Sequence, residues 1–154
     1  METKNENPVK ILLADDDLDD QELFEEALRA SELNAEFITV SDGNKLLKHL
    51  ASLDGKFPDI IFLDINMPLK NGKECLKIIR SNRKFEQVPI IMFSTSSYSQ
   101  DIQETFTNGA NLYISKAIFF KDEVKILKEI FAPNWQKELL IPDKARFVLL
   151  TLIA

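Results

Sequence analysis

Four groups of polar residues stand directly after apolar runs in this chain: Asp15-Asp16-Asp17, Asp64, Ser94-Thr95 and Ser115-Lys116. Three carboxylates brought together repel, and some take up protons unless a cation joins them. A hard divalent cation with oxygen ligands relieves that repulsion; Mg²⁺ takes one or two carboxylates, keeps waters and meets a phosphate. The hydroxyl of Ser94 or Thr95 and the ammonium of Lys116 then have an evident task, binding phosphoryl oxygens on the far side of the metal. A carboxylate can itself be the nucleophile in phosphoryl transfer. Asp64, which ends the most continuous apolar run, is the candidate acceptor.

For these residues to act together, the elements that carry them must end at one edge. The apolar runs Val9–Ala14, Ala35–Val40, 59–63, 88–93 and 111–114 recur about every 25 residues, the length of one strand-plus-helix unit. They lack clean alternation, as expected of strands buried on both faces. Stripes at helical spacing lie between and after them: Leu23, Phe24, Ala27 and Leu28; Leu46, Leu47 and Leu50; Cys75, Leu76 and Ile79; Ile102 and Phe106; and Phe120, Val124, Leu127 and Phe131. A strand-helix alternation repeated five times predicts an α/β fold with a parallel sheet covered on both sides. In such sheets ligands bind beyond the carboxyl ends of the strands, where Asp15, Asp16, Asp64, the hydroxyls and Lys116 fall.

Composition narrows the function classes. The 154 residues suit one ordinary domain. Nineteen basic against 25 acidic residues give a formal charge of −6, which disfavours unaided nucleic-acid binding. The lone cysteine, Cys75, and single histidine, His49, exclude an internal disulfide and a Cys/His zinc set. Cys75 reads as a small buried hydrophobe and His49 as a surface residue. No segment reaches the roughly 20 apolar residues of a membrane span, and the polar start, Met1 to Asn7, holds no signal-peptide core. A cytoplasmic compartment is expected.

The motifs Ile11-Leu12-Leu13-Ala14-Asp15-Asp16, Phe62-Leu63-Asp64-Ile65-Asn66-Met67-Pro68 with Gly72, Met92-Phe93-Ser94-Thr95 and Tyr113-Ile114-Ser115-Lys116 occur in that order. Together they resemble the receiver domain of two-component response regulators, over roughly residues 8–132. The resemblance implies a flavodoxin-like doubly wound (βα)5 sheet with strand order 2-1-3-4-5. It implies that Asp64 accepts a phosphoryl group from a histidine kinase or a histidine phosphotransfer protein. Asp16 would coordinate Mg²⁺ directly, Asp15 would assist through water, and Asn66 would offer a backbone carbonyl. Ser94, with Thr95 adjoining, matches the switch hydroxyl, Tyr113 the aromatic switch, and Lys116 the lysine that pairs with a phosphoryl oxygen. Some of the aromatics near Tyr113 would border the face of the fourth helix and fifth strand that receivers use for partners. The family usually has proline after the lysine, often through a cis peptide, where this chain has Ala117. A cis bond without proline costs about 2.5–4 kcal/mol, so the bond is trans or the surrounding loop enforces the cis form.

Each signal has a plainer reading. Asp15–Asp17 could be an acidic helix start, with Asp17 its N-cap; Ser94 and Thr95 could cap the next helix; Lys116 could be an ordinary solvated lysine. Their common register at strand ends is what sets those readings aside. Two functional alternatives remain: a receiver-like interaction module without phosphoryl turnover, or an aspartyl phosphatase of haloacid-dehalogenase type. The latter needs an acid two residues beyond its nucleophile, and Asn66 cannot donate a proton as a carboxylic acid does. The expectation is a signalling phosphoacceptor whose only catalysis is its own phosphorylation and dephosphorylation. Residues 133–154 form an extension too short for an output domain, so the output should pass to a downstream protein partner or a homodimer. The extension's apolar run from Phe147 to Ile153 would be costly to leave in water. It should pack on its own domain or pair with another subunit.

Overall fold

Successive residues of a strand point to opposite faces, so an uninterrupted apolar run demands a cover on each side of the sheet. The computed structural model describes residues 7–143 and Phe147. The strands are β1 (Val9–Ala14), β2 (Ala35–Val40), β3 (Ile60–Leu63), β4 (Ile90–Ser94) and β5 (Leu112–Ser115). All pair in parallel, in the order β2-β1-β3-β4-β5. β3, β4 and β5 are buried throughout, whereas β2 lies at an edge and is only partly covered.

The helices are α1 (Leu18–Ala30), α2 (Gly43–Ser52), α3 (Gly72–Ser81), α4 (Ser99–Thr107), α5 (Lys116–Phe119), α6 (Glu123–Ile130) and α7 (Trp135–Leu140). Strand alternation divides the core in two. Leu12, Leu63, Met92 and Tyr113 face α2 and α3, with Ile102 and Phe106 of α4 beside them. Leu13, Phe62, Phe93 and Ile114 face α1, α6 and α7. On that second face Phe24 has ring centroids of Phe37, Phe62, Phe93 and Phe119 between 4.9 and 5.6 Å away. Leu23, expected on the same stripe, is 44% exposed. Cys75 is buried with its thiol toward the Gly43 carbonyl, His49 is partly exposed, and Asp17 caps α1 by accepting from the amides of Asp19 and Asp20. Among the described residues no helix is long and apolar enough to cross a membrane.

The chain departs from its expected course after β5. The stripe Phe120 to Phe131 is not one helix: α5 forms a single turn, capped where Ser115 accepts from the Ile118 amide, and α6 begins only at Glu123. Phe119, fully buried in the aromatic cluster, anchors the turn between them. None of the described peptide bonds is cis, so Lys116-Ala117 is trans. Beyond Pro133 the chain folds again. Leu139 of α7 is buried on the α1/α6 face, and Phe147 is buried on the opposite face. Leu139 and Phe147 thus lie on opposite sides of the sheet, each beside residues at or next to β5. At Phe147 the extension packs on its own domain; Val148 to Ile153 lie outside the described residues.

Candidate functional site

Parallel register places the strand ends side by side. Ala14 is level with Leu63, and Ser94 with Ser115. The ladder continues one step further: the Asp64 amide donates to the Ala14 carbonyl, 2.9 Å, and the Asp15 amide to that of Val40, 3.0 Å. Asp15 and Asp64 therefore leave adjacent strands at one level, and both are buried. Gly72 lets α3 press against this edge, since a Cβ there would lie 2.1 Å from the Asp64 carbonyl oxygen.

Lys116 closes the group. Its Nζ lies 2.7 Å from Asp15 Oδ2, 2.8 Å from Asp20 Oδ2 and 3.1 Å from Asp64 Oδ2. It also sits 5.6 Å from the centre of the Phe93 ring. The second oxygens are fixed by backbone: Asp15 Oδ1 accepts from the Asp17 amide, 3.0 Å, and Asp64 Oδ1 from the Asn66 amide, 3.2 Å. Burial pushes the Asp15 carboxyl up to about 6, against the pull of Lys116. Burial also opposes the charge on Lys116, but the surrounding carboxylates outweigh it and hold the ammonium above the ordinary lysine range.

These residues fit a divalent cation. Asp15, Asp16 and Asp64 can each present an oxygen within 4.8 Å of the others. Asp15 Oδ2 is buried and, although close to Lys116, has no donor aligned on it for a hydrogen bond. Asp16 is exposed, so the acidic set is open on one side to an ion arriving from solvent. The donors are all hard oxygens, suited to Mg²⁺ or Mn²⁺ rather than to a soft metal.

The sequence-predicted residues sort by position. Asp15, Asp16, Asp64 and Lys116 converge. Ser94 is fully buried at the end of β4, and its hydroxyl accepts from the Ser96 amide, 3.2 Å. Thr95 is exposed, so Ser94 is the inward hydroxyl of the pair. Asn66 is exposed and touches the site through its backbone. Tyr113 is buried one layer behind; its hydroxyl donates to the Ser96 carbonyl at 2.7 Å. Burial raises the Tyr113 phenol above its ordinary range against hydrogen bonds at Ser96 and Ser94. Asp20 is the residue the sequence reading missed. Its position in the first turn of α1, just after the N-cap, is a signal only once Lys116 is known to reach that turn.

The family model for the response regulator receiver domain matches residues 11–130. Response regulator Rcp1 of Synechocystis is 29% identical over 147 residues, covering 92% of this chain and 99% of its own. The phosphorylated cyanobacterial phytochrome response regulator RcpA is similar in structure, with a TM-score of 0.74 at 31% identity, over 83% of this chain and 96% of its own. The Mn²⁺-bound form of Rcp1 has a TM-score of 0.71 at 30% identity, over 80% of this chain and 91% of its own.

Proposed function

The chain belongs to the response regulator receiver family, and from that premise we propose that Asp64 accepts a phosphoryl group from a phosphohistidine in a Mg²⁺-dependent reaction. The observation that carries this reading is the buried Lys116 ammonium held between Asp64, Asp15 and Asp20 beside three carboxylates able to share a cation. The relatives' phosphorylated and Mn²⁺-bound forms support it.

In the proposed step an oxygen of Asp64 attacks phosphorus. The O–P bond forms as the P–N bond to histidine breaks, and the departing imidazole takes a proton from solvent. Mg²⁺, held by Asp15, Asp16 and Asp64 with the Asn66 carbonyl, would neutralise charge on the transferring oxygens. Lys116 has three donors, so it can keep Asp20 while turning toward a phosphoryl oxygen, and the Ser94 hydroxyl can donate to another. The protein's contribution is positioning and charge neutralisation. Thr95 plays no direct part in this reading, and Tyr113 acts through Ser96.

We assign residues 8–132 as the receiver unit and 133–154 as an extension of it, working in a reducing, cytoplasmic setting. The donor is a histidine kinase or phosphotransfer protein, and the output goes to a protein partner or a second copy. Incubation with acetyl phosphate and Mg²⁺, followed by intact mass, tests the central step. One phosphoryl group should be gained, and lost in Asp64→Asn and in EDTA. No gain on the unaltered protein would instead favour an interaction module without turnover. A gain that persists in Asp64→Asn would place the acceptor elsewhere.

A further inference from the structure

We infer that Asp20 is a positioning residue for the phosphoryl step: from α1 it holds the Lys116 ammonium at the acceptor site while Mg²⁺ and the phosphoryl group occupy the carboxylates that otherwise share it. The inference rests on the reading of Asp64 as phosphoacceptor.

The three carboxylates around Lys116 are not equivalent. Asp20 Oδ2 at 2.8 Å and Asp64 Oδ2 at 3.1 Å accept aligned hydrogen bonds from Nζ, whereas Asp15 Oδ2 is close but off the line of any donor. Among the described residues Asp15 and Asp64 belong to the acidic set able to share a cation, and Asp20 stands outside it. Once that set holds Mg²⁺ and Asp64 carries a phosphoryl group, Asp20 is the one carboxylate on Lys116 that the reaction leaves untouched.

Local structure makes Asp20 a firm support. It lies in the first turn of α1, which is tied to the end of β1 twice. The Asp17 amide donates to Asp15 Oδ1 at 3.0 Å, and Gln21 Nε2 donates to the Asp15 carbonyl at 2.6 Å. The Asp20 amide in turn donates to Asp17 Oδ1 at 3.2 Å. Its side chain is only 18% exposed, so water competes little for the carboxylate. The element that carries Lys116 offers less, because α5 is a single turn and Ala117 is exposed. A lysine stem is long and flexible, and ordering it costs side-chain entropy. Asp20 orders it before the phosphoryl group arrives, using one donor and leaving two for phosphoryl oxygens.

Beryllofluoride, a phosphoryl analogue, separates positioning from plain charge when bound at saturating Mg²⁺. A carboxylate that only adds negative charge near the site repels the anion, so its removal would tighten binding. A positioning carboxylate acts in the opposite sense. Asp20→Asn keeps the shape and loses the charge that grips the ammonium. It should bind the analogue about fivefold more weakly, the order of the difference between a charged and a neutral hydrogen bond. The Lys116 ammonium gives a second readout by NMR, its signal being identified by its absence from Lys116→Met. In the unaltered protein that signal should persist with Mg²⁺ alone bound, and in Asp20→Asn its protons should exchange with water about fivefold faster. Three results would each overturn the role of Asp20 while leaving Asp64 as acceptor: analogue binding unchanged or tighter in Asp20→Asn, loss of the signal from the unaltered protein on adding Mg²⁺, or equal exchange in the two proteins. Failure of the unaltered protein to bind the analogue overturns both readings.

Discussion

Lys116 is the side chain on which the site's electrostatics turn. One ammonium faces the carboxylates of Asp15, Asp20 and Asp64, and all but Asp20 are buried. Removing one partner of a buried ionic group costs about 3–5 kcal/mol because the remaining charges stay uncompensated. Lys116→Ala should therefore unfold at lower temperature than the unaltered protein in EDTA, and added Mg²⁺ should narrow the gap by replacing the missing positive charge. Thermal unfolding with and without Mg²⁺ reads this directly; an unfolding temperature that Mg²⁺ leaves unchanged in both proteins would mean that the acidic set takes no cation. Cys75 shows burial acting alone. Its thiol is fully enclosed, and burial pushes it from 9.0 up to about 11. The native thiol should resist a disulfide reagent at pH 8 and react only as the protein opens, about a hundredfold slower than in denaturant. Because the folded thiol keeps its proton after the unfolded one has lost it, Cys75 leaves stability unchanged below about pH 9 and lowers it as pH rises toward 11. At this scale the sequence was legible where a chemical group follows an apolar run. Asp15, Asp64 and Lys116 stand out because nothing in a buried strand end calls for charge. Asp20 does not, because an acidic residue in the first turn of a helix has its own local reason to be there.

Elements are joined here by side chains that satisfy backbone, and Arg80 is the clearest case. From the last turn of α3 its guanidinium donates to the carbonyls of Gly109, Phe85 and Val88 and to Asn111 Oδ1, at 2.7 to 2.9 Å. Burial lowers its basicity without removing its charge at neutral pH. Arg80 thereby ties α3, the turn after it, the approach to β4 and the start of β5 into one base beneath the site. Charged hydrogen bonds are worth about 1.5–3 kcal/mol each and do not add in full. Arg80→Ala should lower the urea midpoint by the equivalent of about 2–4 kcal/mol with little change in the slope. Arg80→Lys should recover little of this, because a point charge cannot serve four acceptors arranged around a planar fork. A lysine variant as stable as the unaltered protein would reduce Arg80 to a packing residue. The five strands were legible because each buries an unbroken apolar run. The break between α5 and α6 was not, because it follows from where Phe119 must go in an aromatic cluster built by four other elements. Nor was α7, whose six residues are too few for a periodic pattern to declare itself.

For the molecule as a whole, the parallel register does two things at opposite ends of the sheet. At the carboxyl ends it aligns Ala14 with Leu63 and Ser94 with Ser115, so the polar residues that follow meet. At the amino end of β5, Asn111 accepts from the Ile90 amide and donates to Leu139, so the extension is bound into the sheet's own edge. The apolar run of the extension was legible as something needing cover. The partner of Phe147 was not, because Phe106 and Tyr113 come together only after α4 folds against β5. Leu139 and Phe147 are therefore parts of the folded unit. Burying a large apolar side chain is worth about 1.5–3 kcal/mol, and Leu139 and Phe147 are both enclosed. Ordering the segment offsets much of this gain, so deletion of 134–154 should cost about 1–3 kcal/mol. For a domain of this size that lowers the unfolding midpoint by about 3–10 °C. Both faces of the sheet keep their remaining cover, so the shortened protein should still unfold in one cooperative transition. It should still take up a phosphoryl group on Asp64. Unaltered stability after deletion would show that neither anchor holds in solution. Loss of the cooperative transition would show that the receiver unit does not end near residue 132.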